Sequence, residues 1–270
     1  MKVVLFCGGR GTRIREYSES VPKPLIPLGS QPIMHHVMQF YASYGHDDFI
    51  LCLGYKADAI KDFFLSSRPE RYGDCVVSRS GQVELLGDTL QDWRVSLIDT
   101  GIWRNIGERL WRVRHLLKDE PIFLANYSDG LTDVDLDDMV RQFENSDKLA
   151  CFLAVRPPLT YHLADIDESG RVREFRSSET SDMWINGGYF LMRPEIFDYM
   201  REGEELVLAP FSRLIAEDKL MAYKHEGFWR SMDTLRDWQT LEAMVERGDM
   251  PWASRIGTAA SKPSPRLGML

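Results

Sequence analysis

The sequence has few cysteines, no long hydrophobic run and no excess of positive charge. Its cysteines, Cys7, Cys52, Cys75 and Cys151, lack the paired spacing of zinc ligands, so reduced cytosolic thiols are expected. No apolar stretch approaches the roughly 18 residues that a membrane-spanning helix needs. The N-terminus enters an apolar run at once, without a signal-peptide pattern. These features predict a cytoplasmic protein with no membrane contact.

The charge balance argues against a general nucleic-acid-binding protein. The chain has 33 Lys and Arg against 41 Asp and Glu, a formal net charge of −8. A non-specific phosphate binder normally carries net positive charge, so no nucleic-acid partner is expected. At 270 residues and 44% hydrophobic content, one α/β domain with at most a small appendage is expected.

A glycine-rich turn near the N-terminus is the first candidate binding element. The apolar run 3–6 predicts a buried central strand. Glycines after such a strand let backbone N–H groups approach an anion with no Cβ in the way. The turn and the cations close to it in sequence are Gly8, Gly9, Gly11, Arg10, Arg13 and Lys23. This pattern favours a phosphate site; the alternative is a tight surface turn with solvated arginines.

Hydrophobic periodicity predicts alternating strands and helices in the first half of the chain. Alternation of this kind implies a parallel sheet with right-handed crossovers. A hairpin is expected within 66–92, with Gly73-Asp74 or Ser80-Gly81 as its turn. The other predicted strands are 49–53 and 94–98, and the predicted helices are 32–44, 57–65 and 106–117.

Two aspartates stand where predicted strands end. The apolar segment 121–126 leads to Asp129 and Gly130, which places this carboxylate at the carboxyl end of a central parallel strand. Ligands of open α/β sheets bind at that edge, so Asp129 could hold a divalent cation; alternatively, Asp-Gly simply forms a turn. Asp233 occupies a second such junction, just before Thr234 as the predicted N-cap of a helix over 235–247.

The second half is predicted to contain shorter elements. A strand is expected to enter through a corner at Asn186-Gly-Gly188, and the chain from 253 to 270 is expected to be a disordered tail. The predicted strands are 150–155, 163–166, 172–175, 184–192 and the edge strand 220–223, and the predicted helices are 194–201 and 210–217.

Together these motifs resemble the sugar-nucleotide pyrophosphorylases, nucleotidyltransferases that join a nucleoside triphosphate to a sugar 1-phosphate. Within that family the chain is most similar to the glucose-1-phosphate cytidylyltransferase branch, over about residues 2 to 252. The segments that carry the resemblance are Gly8-Gly-Arg-Gly-Thr-Arg13, Pro22-Lys-Pro24, Phe49-Ile-Leu-Cys-Leu-Gly-Tyr-Lys56, Asp99-Thr-Gly101, Tyr127-Ser-Asp-Gly130, Trp184-Ile-Asn-Gly-Gly188 and Gly227-Phe-Trp-Arg-Ser-Met-Asp-Thr-Leu-Arg236.

The resemblance implies a three-layer, Rossmann-like α/β fold with a mixed, mainly parallel central sheet and a small β-rich sugar-binding portion. One domain would span 1–252, with its nucleotide-binding half at about 1–148 and its sugar-binding half at about 149–252. Relatives are often oligomeric, so a homo-oligomer is expected. Phe40, Tyr41 and Tyr44, on one predicted helix, are candidate interface residues.

The resemblance also implies roles for individual residues. The sugar phosphate would attack the α-phosphorus in line and expel pyrophosphate, chemistry that needs positioning and charge neutralisation rather than a nucleophilic side chain. The catalytic set would be Arg13, Lys23, Asp129 and Asp233, with Asp129 and Asp233 as Mg²⁺ ligands. The nucleotide would contact Phe6, Gly8, Gly9, Gly11, Thr12, Arg13, Lys23, Arg109, Ser128 and Asp129. The sugar would contact Tyr127, Arg176, Trp184, Asn186 and Gly187.

The chain departs from the family pattern on the sugar side. After Phe175 the family usually has Glu-Lys-Pro, whose lysine holds the sugar phosphate, whereas here the residues are Arg176-Ser-Ser-Glu179. Thr160-Tyr-His162 also stands where an aromatic-glycine pair is common. A guanidinium does not replace an ammonium point for point, so altered acceptor choice is expected. The alternatives are the same chemistry with dTTP, UTP or GTP, and a catalytically silent nucleotide-sugar-binding regulatory protein.

Overall fold

The computed structural model describes residues 1–14, 21–65, 75–78, 80, 82–85, 93–157, 162–177 and 183–255. At 75–77, 83–85, 162 and 176–177 it describes the backbone alone. The predictions for Gly73-Asp74, for Thr160 and Tyr161, and for the tail beyond residue 255 lie outside these residues.

Strands and helices alternate through the first half, as the periodicity predicts. In chain order the strands are β1 (Lys2–Phe6), β2 (Pro27–Leu28), β3 (Gln31–Pro32), β4 (Asp48–Leu53), β5 (Cys75–Val77), β6 (Val83–Leu85), β7 (Arg94–Asp99), β8 (Phe123–Asn126), β9 (Gly130–Thr132), β10 (Ala150–Val155), β11 (His162–Ile166), β12 (Val172–Ser177), β13 (Ile185–Met192), β14 (Leu220–His225) and β15 (Trp229–Ser231). The α-helices are α1 (Ile33–Ser43), α2 (Ala57–Leu65), α3 (Ile106–Val113), α4 (Leu136–Glu144), α5 (Ala209–Ala216) and α6 (Leu235–Glu246). The 3₁₀ segments are Lys23–Leu25, Arg114–Leu116, Pro194–Tyr199 and Pro251–Ala253.

A central sheet organises the described part of the chain. It has seven strands in the order β14-β10-β13-β8-β1-β4-β7. The strands β8, β1, β4 and β7 run parallel to their neighbours in this half. In the other half β13 is antiparallel to both β8 and β10, whereas β14 is parallel to β10 at the edge. The predicted mixed, mainly parallel sheet is confirmed, and β8 with Asp129 after it is central.

Both faces of the sheet are covered by apolar residues. Val3 and Leu5 pack into one buried cluster with α1, whereas Val4 and Phe6 pack into a second cluster with α3 and α5. This alternation is the period-two pattern of a strand buried on both faces. The three-layer architecture follows from these two clusters.

Three sequence predictions differ from the structure in detail. The predicted helix 106–117 ends as an α-helix at Val113 and continues as a 3₁₀ turn. The predicted helix 194–201 is instead a 3₁₀ helix that ends at Tyr199, because the backbone of Met200 is extended, with a ψ of 145°. Asn186-Gly-Gly188 lies inside β13 rather than at a corner before it, because a register irregularity opposite in β10 and the positive φ of Gly188, 77°, accommodate it.

The proposal that Phe40 and Tyr41 serve a subunit interface is wrong. Both rings are buried in the core, where each lies 5.7 Å, centroid to centroid, from the ring of Tyr189. Tyr44 donates a hydrogen bond to the carbonyl of Val134 at 3.0 Å. The helical spacing of these aromatics therefore marks the face that α1 presents to the sheet.

One of the small antiparallel pairs outside the central sheet is the hairpin predicted within 66–92. β5 pairs antiparallel with β6, and Ser80 lies between them in the chain, whereas Gly81 of the predicted turn is outside the described residues. β11 pairs antiparallel with β12, and this hairpin is the β-rich addition to the central sheet. Within the residues covered by the structure, no helix combines the length and apolarity needed to cross a membrane.

Candidate active site

Lys23, Asp129 and Asp233 form the centre of the candidate site. The Lys23 ammonium donates to Asp129 Oδ2 at 2.6 Å and to Asp233 Oδ1 at 2.7 Å. Arg13 Nη2 lies 3.0 Å from the same Asp233 oxygen. The three charged groups at the centre are largely buried, whereas the Arg13 side chain is exposed. Four residues predicted from the sequence therefore meet at one point.

A short strand pair brings the two aspartates together. β9 follows Asp129 directly and pairs antiparallel with β15, which ends two residues before Asp233. The N–H of Met232 also donates to the Asp129 carbonyl at 2.9 Å. This pairing joins segments about a hundred residues apart, and nothing in the local sequence pattern predicted it.

The turn that carries Asp129 is held in an uncommon backbone conformation. Ser128 has a φ of 66°, which is unusual for a residue other than glycine. Its N–H donates to Asn126 Oδ1 at 2.6 Å, and its hydroxyl donates to the Phe6 carbonyl at 3.0 Å. These bonds tie the turn to the end of β1, so Ser128 orients the aspartate beside it.

Burial and ion pairing set the protonation of the three central groups. Burial raises the pKa of Asp129 above its ordinary value, and the ion pair with Lys23 offsets only part of that effect. Burial acts in the same direction on Asp233, but Lys23 and then Arg13 outweigh it, so its pKa is lowered. Burial opposes the Lys23 ammonium, yet both carboxylates outweigh it and raise the pKa of Lys23. Lys23 is therefore a permanent cation at neutral pH.

Arg109 supports the glycine loop through a hydrogen bond to its backbone. Its guanidinium is 2% exposed; Nη2 donates to the Gly8 carbonyl at 2.9 Å, and Nη1 donates to the Leu53 carbonyl at 3.0 Å and to Thr100 Oγ1 at 2.6 Å. These bonds join the glycine loop to the ends of β4 and β7. Because burial disfavours the charged form, the pKa of Arg109 is lowered, although the group remains a cation.

The three glycines of the loop differ in why a residue without a side chain suits each position. A Cβ at Gly8 would lie 2.0 Å from Arg109 Nη1, so this position leaves room for the guanidinium. At Gly9 a Cβ would meet no heavy atom within 4 Å, and Gly11 has a φ of 60°. Gly9 and Gly11 line the cleft, as the phosphate-loop interpretation expects. Gly8 instead contacts the residue that supports the loop.

The site opens into a cleft of about 400 Å³. Its lining includes most of the residues assigned to the nucleotide by resemblance, together with several that the sequence did not indicate. The predicted residues in the lining are Phe6, Gly9, Gly11, Thr12, Arg13, Lys23, Arg109, Tyr127, Ser128, Asp129 and Asp233. The additional ones are Pro24, Arg104, Asn105, Ile106 and Glu205.

One of the additional residues could have been found from a local sequence pattern. Asn105 is the N-cap of α3 and forms a capping box with Glu108, a pattern visible as Asn-x-x-Glu. Glu205 gave no local signal, because it reaches the same helix start from a distant loop, where its Oε2 accepts from the N–H of Ile106 at 3.3 Å. Arg104 pairs with Glu108, so its guanidinium is fixed beside the cleft.

The residues assigned to the sugar extend from the cleft along β13. Tyr127 lines the cleft and accepts a hydrogen bond from Asn186 Nδ2 at 3.1 Å. The Gly187 carbonyl accepts from Trp229 Nε1 at 2.8 Å. The ring of Trp184 makes cation–π contacts with two side chains: Arg156 Cζ lies 4.4 Å and Lys224 Nζ lies 5.1 Å from its centroid. Arg176 lies on β12, paired with Leu163, and its side chain is outside the described atoms.

The two aspartates suit a hard divalent cation. One oxygen of each lies within 2.7 Å of the same Lys23 nitrogen, so both carboxylates converge on one point. Mg²⁺ is commonly bound by one or two carboxylates together with substrate phosphates and water. Within the described residues there is no group of three or more His, Cys, Asp and Glu side chains for a metal. The donor set thus fits a metal whose coordination is completed by a phosphorylated ligand.

Comparison with known proteins identifies the family. Residues 2–246 match the family described as nucleotidyl transferase, and the chain belongs to that family. It is 35% identical over 254 residues to a glucose-1-phosphate cytidylyltransferase of Salmonella typhi, covering 93% of this chain and 98% of that protein. The same values hold for the glucose-1-phosphate cytidylyltransferase of Salmonella typhimurium (strain LT2). The resemblance predicted from the sequence is confirmed.

A solved structure agrees on the fold. A UDP-glucose pyrophosphorylase in complex with UDP-glucose superposes with a TM-score of 0.66, covering 92% of this chain and 98% of that one. Its sequence identity is 13%, so this likeness concerns the fold alone. The Rossmann-like nucleotidyltransferase fold predicted above is confirmed.

Proposed function

We propose that this protein joins CTP to a sugar 1-phosphate, giving a CDP-sugar and pyrophosphate. The proposal is supported by family membership and by 35% identity to glucose-1-phosphate cytidylyltransferases along nearly the whole of both chains. The observation that carries it is the Lys23 bridge between Asp129 and Asp233 at a cleft lined by the glycine loop. A triphosphate that entered this cleft would meet cations and carboxylate oxygens suited to a metal at the same point, which supports the proposal.

The reaction needs charge neutralisation and alignment. An oxygen of the sugar phosphate attacks the α-phosphorus of CTP, a new P–O bond forms, and the bond from the α-phosphorus to the bridging oxygen breaks. Pyrophosphate leaves with that electron pair. Lys23 and Arg13 donate to phosphate oxygens, and the N–H groups of the glycine loop hold the triphosphate. No side chain forms a covalent intermediate in this scheme.

Asp129 and Asp233 would hold Mg²⁺ in the proposed site. When bound, the ion neutralises phosphate charge and helps to align the triphosphate. Ser128 and the β9–β15 pair fix the two carboxylates before any ligand arrives. Arg109 holds the loop, and its buried charge adds to the positive field beneath the phosphates.

The acceptor is proposed to lie toward the second half of the chain, over about 149–252. Tyr127 with Asn186 forms the boundary between the cleft and this side. Gly187 lies on β13, Trp184 directly precedes that strand, and Arg176 lies on β12. Since the family lysine is absent after Phe175, we propose that glucose 1-phosphate is not the preferred acceptor and that Arg176 contacts the phosphate of the one that is.

Pyrophosphate release tests the proposal directly. Purified protein is incubated with Mg²⁺, one of CTP, dTTP, UTP or GTP, and a panel of sugar 1-phosphates. The expected result is release with CTP that depends on both acceptor and metal. Thermal stabilisation by CTP without turnover on any acceptor would instead favour a silent regulatory protein that binds nucleotide-sugars. A homo-oligomer remains a proposal, and light scattering of the purified protein tests it.

A further inference from the structure

Trp103 is exposed where a large apolar side chain is expected to be covered. Its side chain is 77% exposed, and among the described tryptophans it is the one that stands out in this respect. The contact of its ring is with Arg10, whose Cζ lies 5.0 Å from the ring centroid. A guanidinium over an indole is a favourable but weak contact at an exposed site.

Trp103 and Arg10 each stand directly beside residues that line the candidate cleft. Arg10 lies between Gly9 and Gly11, which line the cleft from the glycine loop. Trp103 comes directly before a second segment that lines it, Arg104, Asn105 and Ile106. The pair therefore joins the two loops that border the opening.

The backbone that carries Trp103 is fixed on both sides. On one side the N–H of Gly101 donates to Asp99 Oδ1 at 2.9 Å, and the carbonyl of Ile102 accepts from Arg109 Nη2 at 3.4 Å. On the other side Asn105 caps α3. The backbone at Trp103 is thus held in position by hydrogen bonds on both sides, although its ring is exposed.

We propose that Trp103 is the stacking platform for the nucleobase, an inference that rests on the proposed function of the cleft. The triphosphate is held at Lys23, so the nucleoside extends from it toward the opening between the two loops. The planar guanidinium of Arg10 lies over one face of the Trp103 ring, and the base takes the place of this guanidinium. Because Arg10 is exposed, its side chain can move aside at little cost.

Stacking on an indole adds affinity without choosing among bases, since every base has a π-face. Trp103 therefore contributes to binding of the nucleoside part and not of the phosphates. Its loss is expected to weaken binding of CTP by about tenfold, within the range measured for base–aromatic stacking. The same loss leaves binding of a triphosphate group without a base unchanged.

Calorimetric titrations with CTP and with inorganic tripolyphosphate, both with Mg²⁺, separate these contributions. For Trp103→Ala the expected result is a Kd for CTP raised about tenfold and a Kd for tripolyphosphate within twofold of wild type. Trp103→Phe keeps an aromatic face and is expected to recover most of the CTP affinity. Trp111 is the matched control, because Arg114 Cζ lies 4.3 Å from its ring centroid in the same kind of contact, but neither residue next to it in sequence lines the cleft, whereas Trp103 directly precedes a lining residue. Trp111→Phe is expected to bind CTP as wild type does.

Three results would overturn the proposal. Equal CTP affinity in wild type and Trp103→Ala would contradict the stacking role of Trp103 but not the proposed function of the cleft. An equal loss for CTP and tripolyphosphate shows that the substitution disturbs the loop rather than stacking. If the wild-type protein binds tripolyphosphate but none of CTP, UTP, GTP and dTTP any more tightly, the proposed function fails and the platform fails with it.

Discussion

Replacing Gly8 by alanine tests the account of the glycine loop most sharply. An added Cβ would lie 2.0 Å from Nη1 and 2.3 Å from Cζ of Arg109, far inside contact distance. The guanidinium is the end of a flexible side chain, but it is buried and bonded to Gly8, Leu53 and Thr100. It can retreat only by giving up some of these hydrogen bonds.

The expected loss follows from those bonds. A hydrogen bond to a charged group contributes about 1.5–3 kcal/mol, and overpacking a filled site costs about 1–3 kcal/mol. Partial relaxation saves part of this sum, so Gly8→Ala should lower the free energy of unfolding by roughly 2–4 kcal/mol. Gly9→Ala is the matched control, since a Cβ there meets nothing within 4 Å; its stability should stay within about 0.5 kcal/mol of wild type.

Urea denaturation followed by circular dichroism gives the stabilities, and a double mutant identifies the cause. In Gly8→Ala combined with Arg109→Met the clash is removed with the guanidinium. The double mutant should therefore be more stable than the sum of the single losses predicts, by about 1 kcal/mol or more. If Gly8→Ala is as stable as Gly9→Ala, or if the two substitutions are additive, Arg109 does not determine the glycine at position 8.

Four further predictions address the metal, the loop, the acceptor and acid stability. Asp233→Asn should reduce turnover by orders of magnitude while circular dichroism still shows a folded protein; near wild-type turnover would remove this residue from the site. Gly11→Val should abolish CTP binding in calorimetry, because a β-branched residue is strained at a φ of 60° and crowds the phosphates; unchanged affinity would contradict the loop assignment. Arg176→Ala should raise the KM for the acceptor more than that for CTP, and equal effects on both would refute its contact with the acceptor phosphate. Burial lowers the pKa of His35 to about 4, so between about pH 6.5 and pH 4 the unfolded chain binds a proton at His35 that the folded protein does not. The free energy of unfolding should therefore fall as the pH is lowered through this range. His35→Phe should make that fall less steep, and an unchanged slope would show that other groups cause it.

The elements with strong periodicity could be predicted from the sequence because their residues face a continuous core. β4, β10 and α2 have bounds within one residue of those predicted, and Thr234 is the N-cap of α6 as expected. Asp129 could be placed as well, since an apolar run that ends in an aspartate puts a carboxylate at a sheet edge.

Long-range contacts could not be predicted in the same way. The β9–β15 pair has three residues on each side, too few for a periodic pattern, yet it brings Asp233 to Asp129. Likewise the glycine pattern indicated an anion site but not that Gly8 makes room for Arg109, because that contact joins residues about a hundred positions apart. Local sequence shows which side chains stand at strand ends, whereas the tertiary pairing decides which of them meet.

The central claim is that Lys23, Asp129 and Asp233 form one site for transfer of a cytidylyl group to a phosphorylated acceptor. The most direct measurement is the formation of a CDP-sugar from CTP and a panel of sugar 1-phosphates with Mg²⁺, followed by chromatography and mass spectrometry. Wild-type protein should form a CDP-sugar and pyrophosphate in equal amounts, and Lys23→Ala and Asp129→Asn should each form far less at equal folded concentration. The absence of any CDP-sugar across the panel, or equal formation by wild type and both variants, would contradict the claim.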